Sequence, residues 1–428
     1  MSIAAAMLLS GAMSLGAARD DQRQTTYIHA NVVDTRQGVI VRDLAVVVAD
    51  GRINAVVPMS EYHSREGIKT IDLKGKYLMP GLINSHVHLA TSAVPQDAKA
   101  YLRRELFSGV TAVRDMAGDA RLLAELKREA EFDEIPAPDI FYSALFAGPE
   151  FFVDPRTHEA SRGRTAGQVP WMQAVTADSD LRLAIARAVG VGATGIKLYA
   201  DLPASLVAAL TAEAHRQHLL VWAHAAIFPA KPSEIAKAGV DVMSHACLLG
   251  YEVSDPPLTT NEDPRHVDAD KVTRPNPAIE AVLTEMHEDG IILDATLWPY
   301  ETENVKSCTP EQSDYLARAA ARAGVLLSAG TDDDWDPRNR QSQLLNEIEW
   351  LVGKAGLTPA DALKAATIIG AQTIGETDRM GTIEKGKIAN FVVLSENPLE
   401  KIEAIRNSIF VVKHGRRVET GRTPATAQ

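Results

Sequence analysis

A chain of 428 residues, 46% apolar and 23% charged, suits one large domain plus a smaller one, and excludes disorder, collagen-like repeats and coiled coil. Its 44 Lys and Arg against 56 Asp and Glu leave a net charge of −12. With no basic cluster to reverse that, nucleic acid is excluded as a partner. The 2 cysteines, Cys247 and Cys308, are too few for a zinc ribbon or an iron–sulfur cluster. A single bridge between them is possible, since geometry decides it, but is not the expectation, and Cys247 reads as a small buried side chain.

Residues 1–18, MSIAAAMLLSGAMSLGAA, are small and apolar and give way to Arg19-Asp20-Asp21. They resemble a signal peptide with Gly16, Ala17 and Ala18 before a cut, although a basic start is missing. The expected location is therefore periplasmic or secreted, and cytoplasmic if the stretch is not a signal. It is short for a membrane span, no other run approaches that length, and no span is expected. From Thr26 to Pro80 the pattern is short strands, with Asp50-Gly51 as a hairpin turn inside VVVADGRINAVV.

The texture then changes to apolar strands alternating with amphipathic helices. Eight strands are predicted, beginning at Leu82, Thr111, Ile140, Gly195, Leu219, Asp241, Ile291 and Val325. Between the fourth and fifth, Leu206, Leu210 and Ala214 recur at helical spacing, with Pro203 near the first turn. Thr358, Pro359 and Asp361 read as the capped start of a later helix. Long loops follow the third strand (147–178) and the sixth (247–276), and long loops at that end usually carry function. Strand pairs with glycine turns at Gly386 and Gly415 close the chain. The pattern predicts an α/β fold: a (β/α)8 TIM barrel over 81–375, with a small β-sandwich formed by the N- and C-terminal segments, 25–80 and 376–428.

Barrel chemistry collects where strands end. The first strand ends with His86 and His88, whose spacing of two puts both imidazoles on one face. The fourth carries Lys197, the fifth His224, the sixth His245 and the eighth Asp332. Imidazole and carboxylate suit zinc and similar divalent ions. Lys197 is the odd member, because an ammonium repels a metal. Either it stands outside the ligand set, or reaction with CO₂ makes it an anionic carbamate able to bridge two ions.

PGLINSHVHL, GVTAVRD, GATGIKLYA, VWAHA, DVMSHA and SAGTD, with the later LTPADALKAATIIGAQTIG and MGTIEKGKIANFVVLSENPL, resemble the amidohydrolase superfamily, in its imidazolonepropionase-like and prolidase-like subset. The resemblance implies two divalent metal ions, zinc being the expected one, bridged by N6-carboxylated Lys197 and a hydroxide. His86, His88 and Asp332 would hold the first ion, and His224 and His245 the second. Asp332 would take the proton of the attacking hydroxide and pass it to the leaving amine. The implied activity is hydrolysis of a C–N amide bond, in an N-acyl amino acid or a dipeptide. A lactonase, esterase or phosphotriesterase on the same metal pair is the alternative, and a mononuclear deaminase a more distant one. A non-catalytic scaffold is disfavoured because all six ligand positions are kept.

Tyr199, on the face of Lys197, and His158, in the first long loop, are candidates for substrate contact, and His266 in the second loop is another. Arg114 and Asp115 read as a buried ion pair or loop anchor. Asp333 and Asp334 are expected to cap or solvate the turn after the eighth strand. His215, His218 and His287 read as surface residues, and His29, His63 and His414 carry no chemical signal. The partner is a small-molecule substrate. Such relatives often form symmetric homo-oligomers, and the sequence states no number.

Overall fold

The computed structural model describes residues 24–92, 94–261, 263, 269–303, 305 and 308–418. The expected signal peptide and His266 lie outside the described residues.

Both chain ends build one mixed sheet. Its strands are β1 (Gln24–Asp34), β2 (Val39–Ala49), β3 (Arg52–Pro58), β4 (Lys69–Asp72) and β5 (Tyr77–Pro80) from the front. From the back come β16 (Phe391–Leu394), β17 (Ser408–Lys413) and β18 (Arg416–Arg417). The order is β18-β17-β16-β5-β1-β2-β3, with β4 also on β1. Bulges in β1 bend the sheet around its own core of Tyr27, Val46, Ile53, Leu78, Phe391 and Val412. The β2–β3 turn is the predicted one, with Asp50 and Gly51 both at positive φ, as a two-residue turn between twisted strands requires. The strand pair expected over 381–394 forms only in part. Phe391–Leu394 is β16, but before it a single bridge, Arg52 to Ile388, replaces a ladder. The chain there turns through Gly386 to pack on the hairpin, and alternation alone does not provide a strand partner.

The barrel strands are β6 (Leu82–Val87), β7 (Val110–Asp115), β8 (Asp139–Ala147), β11 (Gly195–Leu198), β12 (Leu220–His224), β13 (Val242–Ser244), β14 (Ile292–Asp294) and β15 (Leu327–Ser328). Neighbours pair in parallel in that order. The ring closes where Ser85 N–H donates to the Ala329 carbonyl and Asp332 N–H to that of His86. Helices between the strands bury apolar stripes such as Leu206, Leu210 and Ala214, and Thr358 caps its helix ahead of Pro359. The first long loop is a folded insert. It contains a helix at Pro155–Ala160 and a hairpin of β9 (Gln168–Val169) and β10 (Met172–Ala174), and β10 extends the sheet beside β8. No helix among the described residues is long and apolar enough to cross a membrane.

Asp139, at the start of β8, ties the two parts together. Its carboxylate lies 3.2 Å from Lys413 Nζ and 3.0 Å from His414 Nε2, and accepts from Asn390 Nδ2 at 3.1 Å. Contrary to the expectation, Cys247 and Cys308 form a disulfide, with Cα atoms 6.2 Å apart. The bridge joins the turn after β13 to the segment entering the helix Pro310–Arg322. The two positions meet because β13 and β14 are adjacent strands, so the segments following them leave the barrel side by side.

Candidate metal centre

The six predicted strand-end residues converge at one rim of the barrel. His86 is buried on β6, and His88 is half-exposed just beyond it. Asp332 Oδ1 lies 3.4 Å from His86 Nε2 and 3.0 Å from His88 Nε2. His245 Nδ1 is 3.8 Å from Asp332 Oδ2. His86, His245 and Asp332 offer ligand atoms within 4.8 Å of one another, a spacing that could hold a metal ion. The rings form an arc: His88 to His86 at 5.4 Å between centroids, His86 to His245 at 5.0 Å, and His245 to His224 at 4.7 Å. Tyr199 continues it, 4.1 Å from His224 and 4.6 Å from Phe151 of the insert.

The backbone is bent to aim these groups. His245 has φ 73° and Asp332 φ 53°, left-handed conformations that are uncommon away from glycine and concentrate at functional sites.

Lys197 is fully buried, and its Nζ has no hydrogen-bond partner among the described residues. Such a group is costly as an ammonium. Burial lowers its pKa to about 7, against the pull of Asp332. A nitrogen that gives up its proton this readily would suit carbamate formation, in which Nζ would bond to the carbon of CO₂, one C–O π bond would open to the carboxylate, and a proton would leave. The orphaned nitrogen, the imidazoles and the carboxylate form a donor set that fits divalent ions. His245 is lowered to about 3, chiefly by burial. Burial pushes Asp332 upward, but His86, His88 and His245 outweigh it and hold the carboxyl well below its usual range. Burial pulls His88 down, but its hydrogen bond to Asp332 and the charges of Asp332 and Asp115 together outweigh it and raise the pKa.

The sequence reading missed Asp294. It ends β14, is wholly buried, and places Oδ2 2.8 Å from His86 Nδ1 and 2.9 Å from Arg114. A carboxylate on the far nitrogen of a ligand histidine fixes the ring and its tautomer. The signal was present, because Asp294 stands at a strand end like the other members. Arg114 thus pairs with Asp294 rather than Asp115. Asp115 anchors a loop by accepting from the N–H groups of Leu89 and Ala117.

Asp333 does not solvate a turn. It is buried and accepts from Tyr101, Thr331 and Arg104. That network lies behind Asp332 and reaches Glu105, Asn84 and Ser342. Its residues come from three distant parts of the chain, so no local pattern shows it. Asp334 is exposed as expected. His158 is exposed on the insert's helix, and it is the neighbouring Arg156 that approaches the Tyr199 hydroxyl, at 3.4 Å.

Residues 77–421 match the model of the amidohydrolase family. The chain is similar to the ochratoxinase of Aspergillus niger, 24% identical over 442 residues that cover 91% of this chain and 85% of that one. It is also similar to the imidazolonepropionase of Phocaeicola vulgatus, 23% identical over 372 residues covering 82% and 85%. Among solved structures, a putative prolidase from Bifidobacterium longum superposes with a TM-score of 0.69 at 26% identity, covering 92% of this chain and 94% of that one.

Proposed function

The chain belongs to the amidohydrolase family, and from that premise we propose that it is a binuclear metal-dependent hydrolase of a C–N amide bond in an N-acyl amino acid or dipeptide. The observation that carries this reading is the buried Lys197 Nζ, unpartnered among the described residues, beside a site of histidines and Asp332. His86, His88 and Asp332 would hold one ion, His224 and His245 the other, with the Lys197 carbamate shared. Two divalent ions bound there would supply Lewis acidity to the scissile carbonyl and lower the pKa of water.

The chain's own residues do the rest. Asp294 and Arg114 hold His86 in place. Asp332 has one oxygen facing His86 and His88 and the other facing His245, which suits it to take a proton from attacking water and return it to the leaving amine. Tyr199 and the insert form one wall, which would orient the acyl or amino-acid part and exclude water. The names of relatives, prolidase and ochratoxinase among them, support the amide. The Cys247–Cys308 bridge supports an oxidising compartment, periplasmic or secreted.

The test is elemental analysis of protein grown with zinc and bicarbonate, followed by assays of N-acyl amino acids, dipeptides and matched esters. About two ions per chain, fewer in Lys197→Ala, and loss of turnover by at least about a thousandfold in His224→Ala and Asp332→Ala are expected. One ion unchanged in Lys197→Ala would refute the pair and direct the assays to deamination. Intact turnover in either ligand variant would refute the mechanism.

A further inference from the structure

Glu347 lies on the helix Leu344–Gly353, beyond the eighth barrel strand, and its side chain is wholly buried. The hydrolytic chemistry above does not use it. Leu297 and Trp298 donate their backbone N–H groups to its two carboxylate oxygens, at 2.9 and 3.0 Å. These residues open the short helix Leu297–Thr302, where the first N–H groups have no acceptor within the helix.

The residue just before them, Thr296, is buried at φ 46° and ψ 60°. A β-branched residue adopts this left-handed conformation only when its surroundings enforce it. Here both flanks are pinned. On one side the N–H groups of His245 and Ala246 donate to the carbonyls of Asp294 and Ala295. On the other, Glu347 holds residues 297 and 298. Bent this way, Thr296 sets its Oγ1 2.8 Å from His245 Nδ1. With the Nδ1 proton donated to that hydroxyl, the lone pair on Nε2 is left to hold an ion.

We propose that Glu347 is a positioning residue for the second ion: through the Thr296 turn it fixes the ring of His245 and so sets the occupancy of the position shared with His224. The inference rests on the two-ion reading given above. Glutamine at 347 would keep one acceptor and turn the other into a donor facing an N–H group, releasing the turn. Valine at 296 would remove the hydroxyl and leave the Glu347 contacts in place, so the two substitutions break the same chain at different links.

The experiment titrates metal-free protein with zinc in the presence of bicarbonate, reading stoichiometry and affinity by calorimetry and elemental analysis. Wild type, Glu347→Gln, Thr296→Val and Thr296→Ser are compared, with circular dichroism to establish folding. Wild type should take about two ions. Glu347→Gln and Thr296→Val should keep the tighter ion unchanged and bind the weaker one about 10- to 100-fold less well, and Thr296→Ser should restore it. Folded Glu347→Gln or Thr296→Val with both wild-type affinities would overturn the proposal. If Glu347→Gln does not fold, the Thr296 pair decides. Wild type holding fewer than two ions would instead overturn the two-ion reading, and this proposal with it.

Discussion

Replacing both bridged cysteines, Cys247→Ser with Cys308→Ser, removes a cross-link between residues separated by 61 positions. In the chain-entropy account, a closed loop of that length restricts the unfolded chain by about 4 kcal/mol at 25 °C. Dividing by the unfolding entropy of a chain this size gives a fall in melting temperature of about 5 °C. Both sulfurs lie in a buried cluster with Tyr300, so polar replacements add to the loss. The assay is thermal unfolding of wild type with and without reductant, beside the double variant. Thiols are also counted in denatured wild type: none without reductant and two with it. Two free thiols in protein purified under oxidising conditions would refute the pairing. A melting temperature within about 1 °C of wild type in the double variant would refute the claim that the bridge stabilises the fold.

Asp294→Asn should leave Arg114 buried without a counter-charge, costing about 3–5 kcal/mol in denaturant unfolding. It should also weaken metal binding about 10- to 100-fold; wild-type values for both would show that Asp294 does not hold His86. Gly330→Ala would drive a methyl against the Asp294 carboxylate and to within 2.7 Å of His86 Cβ. A loss of about 1–3 kcal/mol is expected, whereas Gly190→Ala, with open space around it, should be neutral or slightly stabilising. Asp139→Asn should cost about 3 kcal/mol by leaving Lys413 buried and unpaired. Burial raises the Asp139 pKa, but His414 and Lys413 outweigh it and lower it below 3.8. Its stabilisation is therefore present above that pH and lost as the pH falls through the folded value, so the variant should show a flatter acid limb in unfolding against pH.

The convergence of the candidate site residues is legible because each lies near a strand end within a recognisable local pattern, as in His86-x-His88 and the short runs around Lys197, His224, His245 and Asp332. The barrel was legible for the same reason, since β/α alternation is a local signal. What escaped depends on pairs far apart in the chain. Arg104 meets Asp333 across 229 residues, and Ser342 meets Glu105 across 237. No spacing rule connects them, and each alone reads as a surface charge or a turn residue. The disulfide escaped for a related reason, because only strand adjacency brings its halves together. Asp294 escaped differently: it stands at a strand end, as His224 does, but has no place in the resembled motifs.

Asp294 touches His86, Arg114, Ser244 and Ser328, which come from four different barrel strands or their ends. One carboxylate thus registers a large part of the ring, and burial makes each of these contacts costly to lose. Gly330 has to be a glycine because the same carboxylate and the His86 backbone occupy the space a side chain would fill. The bent residues lie beside this fixed centre: Asp332 faces His86, His88 and His245, and Thr296 sets its hydroxyl on His245 Nδ1. Left-handed residues also sit in remote turns such as the one at Asp50, but at Asp332, His245 and Thr296 they aim side chains at the candidate site, and Glu347 satisfies the N–H groups of Leu297 and Trp298 that follow the Thr296 bend.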